Sequence, residues 1–334
     1  MRHLSPIPEE LLVVARRQEG LVSAAQCDEH GLRSHRRSRL VEQRRWTQVT
    51  RGVYDTDPVP PDRREGPAVS DHRRRRAAWV GLLAFGPEAI AVGPCALALL
   101  GVQGLPLQIT AQAALPGGRA TGSRDGILLR QFDDGMTVTR VADRYVATPG
   151  WALAQTVPEV ARRYAVALMD SAQHRGLLDA RGLDRAHDMA RGRRGVARTH
   201  SWWELSDRRS ESPLETFARL DCLDAGVPPD DLQVVISGDG GHFLARGDMG
   251  WRLPDGRWLI AEIDGAEVHG TPEALFADRR RQNLLVASRG VALLRFTARD
   301  LAVGGRVGAE IRSFLGRARG SARSRTGSRP PSVG

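Results

Sequence analysis

Residues 257–264, RWLIAEID, restrict the fold more than any other stretch of the chain. Trp258, Leu259, Ile260, Ala261 and Ile263 form an apolar run with the length of a buried strand. Two carboxylates, Glu262 and Asp264, interrupt it. An unpaired carboxylate is expensive to bury, so either an arginine or a cation must stand opposite these acids.

The flanking sequence supplies the rest of a sheet. SPLETFARLDCLDAG predicts an N-capped helix with Leu214, Phe217, Leu220 and Leu223 on one face. LQVVISG, HFLARGDMGW and RWLIAEIDG read as three strands, EALFADRRRQNLLVASRG as a long helix, and VALLRFTARDL as a strand running into a last helical segment. The order αβββαβ implies a meander followed by a right-handed crossover to a parallel strand. Pro254, Asp255 and Gly256 suit a three-residue hairpin loop with Gly256 left-handed. Leu253 then faces Arg257, and counting outward Asp248 falls opposite Glu262, with Asp264 on the same face. Cross-strand neighbours about 5 Å apart can share one small ion, and two carboxylates that close repel without a cation. Oxygen ligands of this kind favour Mg²⁺ or Mn²⁺.

The first region, 1–57, has a different pattern. SPIPEELLVVARRQEG is a helix stopping at Gly20, VSAAQCDEHG a second with Ser23 as N-cap and Gly31 past its end, and RSHRRSRLVEQRR a third with Leu40 and Val41 inward. WTQVTRGVYDT alternates as a short hairpin. Three helices and a small sheet predict a winged helix-turn-helix, whose third helix is expected to enter a DNA groove. Arg33, Arg36, Arg37, Arg39, Arg44, Arg45 and Arg51 are the candidate DNA contacts, seven arginines against the single acid Glu42. The alternatives are a solvated helix face and a hairpin that packs on its neighbour.

A proline-rich linker is expected at 58–71, and a mixed α/β middle domain at 72–205. In the latter AAWVGLLAFGPEAIAVGPCALALLGV reads as two soluble helices, and Asp170 as a structural group. The C-terminal domain is placed at 206–316 and a disordered basic tail at 317–334. The whole is an α+β multidomain chain. Its formal charge of +10, carried by 49 basic residues that are all arginine, favours a polyanionic partner. Three separated cysteines without C-x-x-C spacing, no spanning apolar run and an N-terminus charged at once point to a cytoplasmic protein. No membrane association and no nucleotide cofactor are expected.

GLVSAAQCDEHGL and RLVEQRRWTQVTRGVY resemble the N-terminal domain of AbiEi-type antitoxins, and the middle region is similar to theirs. SPLETFARL, RGDMGW, AEIDGAEVHG, DRRRQNLLVASRG and LLRFTARDL, within residues 210–302, resemble the PD-(D/E)XK or restriction-endonuclease-like superfamily. More narrowly they resemble the DUF559-type group related to the very short patch repair endonuclease. The resemblance implies a metal-dependent phosphodiesterase acting on DNA. Asp248 and Glu262 would be metal ligands, Glu215 would reach the same site, and His269 would be a general acid or water-positioning group. Arg279 and Arg295 would hold phosphate or transition-state charge. The superfamily's lysine, two residues after the glutamate, is Asp264 here, in a chain that has no lysine at all.

Two functions compete on these residues. One is a Mg²⁺-dependent DNA endonuclease guided by its winged helix. The other is an AbiEi-like regulator, with a cognate toxin as partner, in which the nuclease fold is retained without activity. A protein-interaction module contacting RNA is a third. The bland assignments are an ion network of Glu262 and Asp264 with Arg279, Arg281 or Arg295, and a capping box completed by Glu215.

Overall fold

The computed structural model describes residues 6–57, 59, 63, 69–118, 125–237, 243–264 and 291–326. Over these the chain is mixed α and β, with three separate sheets. It divides into two units, Met1–Ser206 and Asp207–Gly334. No helix among the described residues is long and apolar enough to cross a membrane.

The first unit opens with α1 (Glu9–Arg17), β1 (Leu21–Ser23), α2 (Ala24–Glu29), α3 (Ser34–Glu42), β2 (Thr47–Thr50) and β3 (Val53–Asp55). Its three-stranded sheet has the order β1-β3-β2. Ser23 caps α2 in a full capping box with Gln26, which is why the chain turns from strand to helix there. Leu11, Ala15, Val22, Cys27, Leu32, Leu40 and Trp46 close the core of this part. Helix α4 (Val69–Phe85) is then fastened to it. Arg76 meets the buried Asp55 at 2.8 Å, and Glu19 binds both His72 and Arg75.

The middle of the unit adds β4 (Ile90–Ala91), α5 (Gly93–Leu99), β5 (Gln112–Ala114), β6 (Leu128–Arg130), β7 (Val138–Val141) and β8 (Arg144–Ala147). They build a five-stranded sheet in the order β6-β5-β4-β8-β7. The expected pair of helices is therefore interrupted by a strand. Gly86 and Pro87 end α4, and Ile90–Ala91 pair with both β5 and β8. The β7–β8 hairpin turns on Ala142 and Asp143, both at positive φ. Helices α6 (Pro149–Thr156), α7 (Arg162–His174), α8 (Ala180–Ala190) and α9 (His200–Trp203) follow. Asp170 on α7 is buried and accepts a hydrogen bond from Ser206 Oγ at 2.9 Å, a structural pair.

The second unit consists of α10 (Pro213–Asp224), β9 (Asp231–Ser237), β10 (Phe243–Arg252), β11 (Trp258–Asp264), β12 (Val291–Thr297), α11 (Ala298–Ala302) and α12 (Arg306–Thr326). The sheet order is β12-β11-β10-β9, antiparallel except for the parallel pair β11–β12. The expected crossover helix, residues 273–290, lies outside the described residues. Ser212 caps α10 through Glu215 N. On α10 the most buried apolar groups are Ala218, Leu220 and Cys222, with Leu214 and Phe217 half-buried beside them. Leu253 N donates to Arg257 O at 2.8 Å and Gly256 sits at φ +84°, so the loop has the expected length and conformation.

One expectation is corrected at the C-terminus. Residues 317–326 do not form a disordered tail but continue α12, whose Val307, Ile311 and Leu315 are buried against α10 and the sheet, with Phe314 and Ala318 partly so. These five positions recur at helical spacing and make one apolar stripe. Gly308 lets the helices touch, because a Cβ there would lie 2.2 Å from Asp221 O. We expect Ile311→Ala to destabilise the second unit by roughly 2–5 kcal/mol, the usual cost of emptying a closed core position. Urea unfolding of the full chain, followed by the tryptophans of this unit, measures it.

Candidate functional site

The register of the second sheet places one polar residue on each of its four strands in a single transverse row. Pairing of β10 with β11 runs Arg252↔Trp258 to Met249↔Ala261, and one further step sets Asp248 opposite Glu262. Glu262 is directly paired with Arg295 on β12. On the other side, Gly247↔Val234 and Met249↔Leu232 bracket Asp248 against Gln233 of β9. The row therefore reads Gln233, Asp248, Glu262, Arg295.

Each member has a defined setting. Glu262 is only 4% exposed, and Arg295 Nε lies 3.5 Å from its Oε2. Arg295 makes a closer, two-pronged contact with Asp264, Nε to Oδ2 at 3.0 Å and a terminal nitrogen to Oδ1 at 2.9 Å. Asp248 Oδ2 accepts the backbone N–H of Ile263 at 2.7 Å, replacing a strand-to-strand hydrogen bond where the ladder ends. Arginine thus answers the need of Asp264 outright and that of Glu262 in part.

Glu215 approaches from the first turn of α10. Its amide is capped by Ser212 Oγ at 3.2 Å. Its Oε2 accepts from Glu211 N at 2.9 Å and from Gln233 Nε2 at 3.0 Å. The expected capping box is thus half formed, since the side chain reaches Glu211, one residue beyond the cap. Burial pushes the Glu215 carboxyl up to about 7; the Glu211 amide opposes this and the charge of Asp248 adds to it. Glu215, Asp248, Glu262, Asp264 and Arg295 are thereby linked in one site, whereas His269 and Arg279 lie outside the described residues.

Asp248 and Glu262 are the residues that could hold a small divalent cation. Mg²⁺ keeps most of its waters and needs only one or two carboxylates, and Asp248 and Glu262 supply these on adjacent strands. No group of three or more His, Cys, Asp or Glu side chains gathers as a metal cluster among the described residues. An uncharged oxygen is nonetheless at hand, because Gln233 Oε1 is buried without a hydrogen-bond partner among the described residues. Gln233 was not singled out from the sequence; the register shift between Phe243 and Ala245 displaces β9 against β10 by one residue, so a plain count outward from Ser237 and Phe243 sets Asp248 opposite Leu232.

In the first unit Arg33, Arg39, Arg44, Arg45 and Arg51 are exposed. Arg36 is half-buried and donates to Pro6 O at 3.3 Å. Arg37 is a correction to the expected set of DNA contacts. Its side chain is 7% exposed, bound to Asp28 at 2.6 Å and Leu32 O at 2.7 Å, and it lies against the Tyr54 ring. It holds α2 to α3 from inside. The hairpin turn is also engaged, with Asp125 accepting from Thr50 Oγ1 at 2.5 Å and from Arg51 N at 3.3 Å.

The raised Glu215 carboxyl fixes the sign of a pH effect. Folding favours its protonated form, so that contribution to stability is complete below pH 4.5 and is lost as pH rises through about 7. In EDTA, thermal unfolding of the full chain from pH 4.5 to 8 is expected to show this decline, and Glu215→Gln to flatten it. Parallel curves for the two proteins would contradict the assignment.

No family profile matches the chain. Two proteins from different strains of Mycobacterium tuberculosis, the uncharacterized proteins MT2308 and Rv2248, are each 33% identical to it over 187 residues, 55% of this chain and 67% of theirs. The matched length exceeds the second unit, so the likeness takes in part of the first. The chain belongs to the same family as these two mycobacterial proteins.

Proposed function

We propose that the protein is a metal-dependent DNA endonuclease in which a restriction-endonuclease-like second unit cuts DNA held by an arginine-rich winged helix of the first. The carrying observation is the transverse row, with Asp248 beside Glu262 and Glu215 at its edge. The order αβββ with a final parallel strand supports the nuclease-like reading. The order α1-β1-α2-α3-β2-β3, with exposed arginines on and after α3, supports the winged-helix reading.

Asp248 and Glu262 would hold Mg²⁺ or Mn²⁺. When bound, such an ion polarises a phosphate and lowers the pKa of a coordinated water. Arg295 fixes the orientation of Asp264 and presents its guanidinium beside the two acids, where a phosphate oxygen would find a partner. Asp264, in the place of the superfamily lysine, is an acceptor and not a donor, and among the described residues Arg295 brings positive charge to this position. Glu215 exchanges a proton near neutral pH and is suited to carry one during the reaction. On the first unit, Arg33, Arg39, Arg44 and Arg45 supply sequence-independent attraction to phosphates.

The two-pronged Asp264–Arg295 contact is also what a purely structural ion pair looks like. It favours the second reading, an AbiEi-like regulator that binds DNA and a toxin without cutting.

Supercoiled plasmid and single-stranded DNA, incubated with the full chain in Mg²⁺, Mn²⁺ or EDTA, separate the two. We expect metal-dependent cleavage that Glu262→Ala lowers by more than about 100-fold, beyond the loss typical of an outer-shell change. Binding without cleavage, unchanged in the variant, would establish the regulator. For the first unit, Arg39→Ala with Arg45→Ala should weaken DNA binding and reduce the slope of log affinity against log salt by up to about 2. Arg37→Ala should instead lower the melting temperature.

A further inference from the structure

The second sheet contains a local reversal that the proposed chemistry does not require. Along a strand, residues i and i+2 share a face. On β11 this holds, with Leu259, Ala261 and Ile263 in one apolar cluster and Ile260 in another on the opposite face. On β9 it fails. Leu232 belongs with the first cluster, Val234 and Ile236 with the second. On β10, Ala245 packs with Ile260, whereas Met249 and Trp251 pack on the other side. Gly247 also lies toward Ile260, since a Cβ there would come 2.2 Å from Ile260 Cγ2. Both strands turn over at the same cross-strand position, Gln233 opposite Asp248.

Gln233 bears the cost of that reversal. Its φ is +54°, the left-handed region, within a strand and in a residue that is not glycine. Such strain persists where the surroundings fix it, and it concentrates at ligand-binding positions. The amide it positions is only half used. Nε2 donates to Glu215, while Oε1 is buried with no hydrogen-bond partner among the described residues. A buried carbonyl oxygen left without a donor is costly, so strain and orphaned acceptor burden the same residue, one step across the sheet from Asp248.

We propose that Gln233 Oε1 is a third protein oxygen for the divalent cation held between Asp248 and Glu262. This rests on the metal-dependent reading of the site. A neutral amide oxygen adds coordination without adding repulsion to a row that already contains two carboxylates, with Glu215 a third nearby. It is a hard oxygen of the kind that Mg²⁺ and Mn²⁺ accept. The same side chain ties the cation to Glu215 through Nε2, so binding of the ion and the setting of Glu215 are coupled through one amide.

Mn²⁺ binding to the full chain, read by the loss of the free Mn²⁺ electron paramagnetic resonance signal, tests this without reference to cleavage. The variants are Gln233→Leu, which keeps the volume and removes the oxygen, and Gln233→Glu, which restores an oxygen. Glu262→Ala serves as the control, and thermal unfolding verifies that each is folded. We expect Gln233→Leu to weaken Mn²⁺ binding on the order of 10-fold and Gln233→Glu to recover it. If wild type binds Mn²⁺, Glu262→Ala abolishes binding and Gln233→Leu binds as wild type does, the proposal is overturned while the metal site stands. If wild type takes up no Mn²⁺, the metal-dependent reading falls and this proposal with it.

Discussion

A carboxylate 4% exposed in the middle of a four-stranded sheet governs how the second unit is built. Burying Glu262 there alone is costly; one neighbouring strand brings a guanidinium to it and the other a second carboxylate. Arg295 comes from β12 by parallel register and Asp248 from β10 by antiparallel register. The parallel strand matters here. With β12 reversed, Arg295 would leave the row and Asp264 would lose its two-pronged partner. Strand direction, loop length at Pro254–Gly256 and ion pairing thus select the same arrangement.

Much of this was legible in the sequence, for reasons that can be named. The hairpin at Pro254–Gly256 fixes pairing by its length, so Asp248 and Glu262 could be matched by counting. Ser23 and Ser212 announce helix starts because only a short side-chain oxygen reaches the free amides of a first turn. Other features left no such mark. The β7–β8 hairpin turns on Ala142 and Asp143, where Asn-Gly would be the recognisable pair. Helix α12 was hidden by arginine, glycine and serine on its outer face, although its apolar stripe was present. Arg37 carries the same letter as its exposed neighbours, and only its place on the inner face of α3 separates it from them. Gln233 was missed because a left-handed residue inside a strand has no signature when it is not glycine.

The absence of lysine shapes both units. A guanidinium spreads its charge over a plane and satisfies two acceptors at once, and the chain uses it so inside as well as outside. Arg76 serves buried Asp55, Arg37 serves Asp28 and a backbone carbonyl together, and Arg295 spans two acids. A lysine in place of Arg295 could not reproduce the planar, two-nitrogen contact with Asp264. The basic count therefore overstates the surface available to a polyanion, since part of it is spent within the fold.

The reversal at Gln233 and Asp248 also bears on how the sheet assembles. An ordinary antiparallel pair can slip by two residues and still present apolar groups to the same side. Here β9 and β10 each change faces at one position, and the changes must meet. Any slipped pairing would leave a stretch in which one strand has turned over and its neighbour has not, with Leu232 or Val234 on the wrong side of the sheet. Because β9 is an edge strand, the same mismatch faces any foreign strand that tries to add to it without the matching turnover. The strained residue is thus a key cut into the edge, admitting one partner in one alignment.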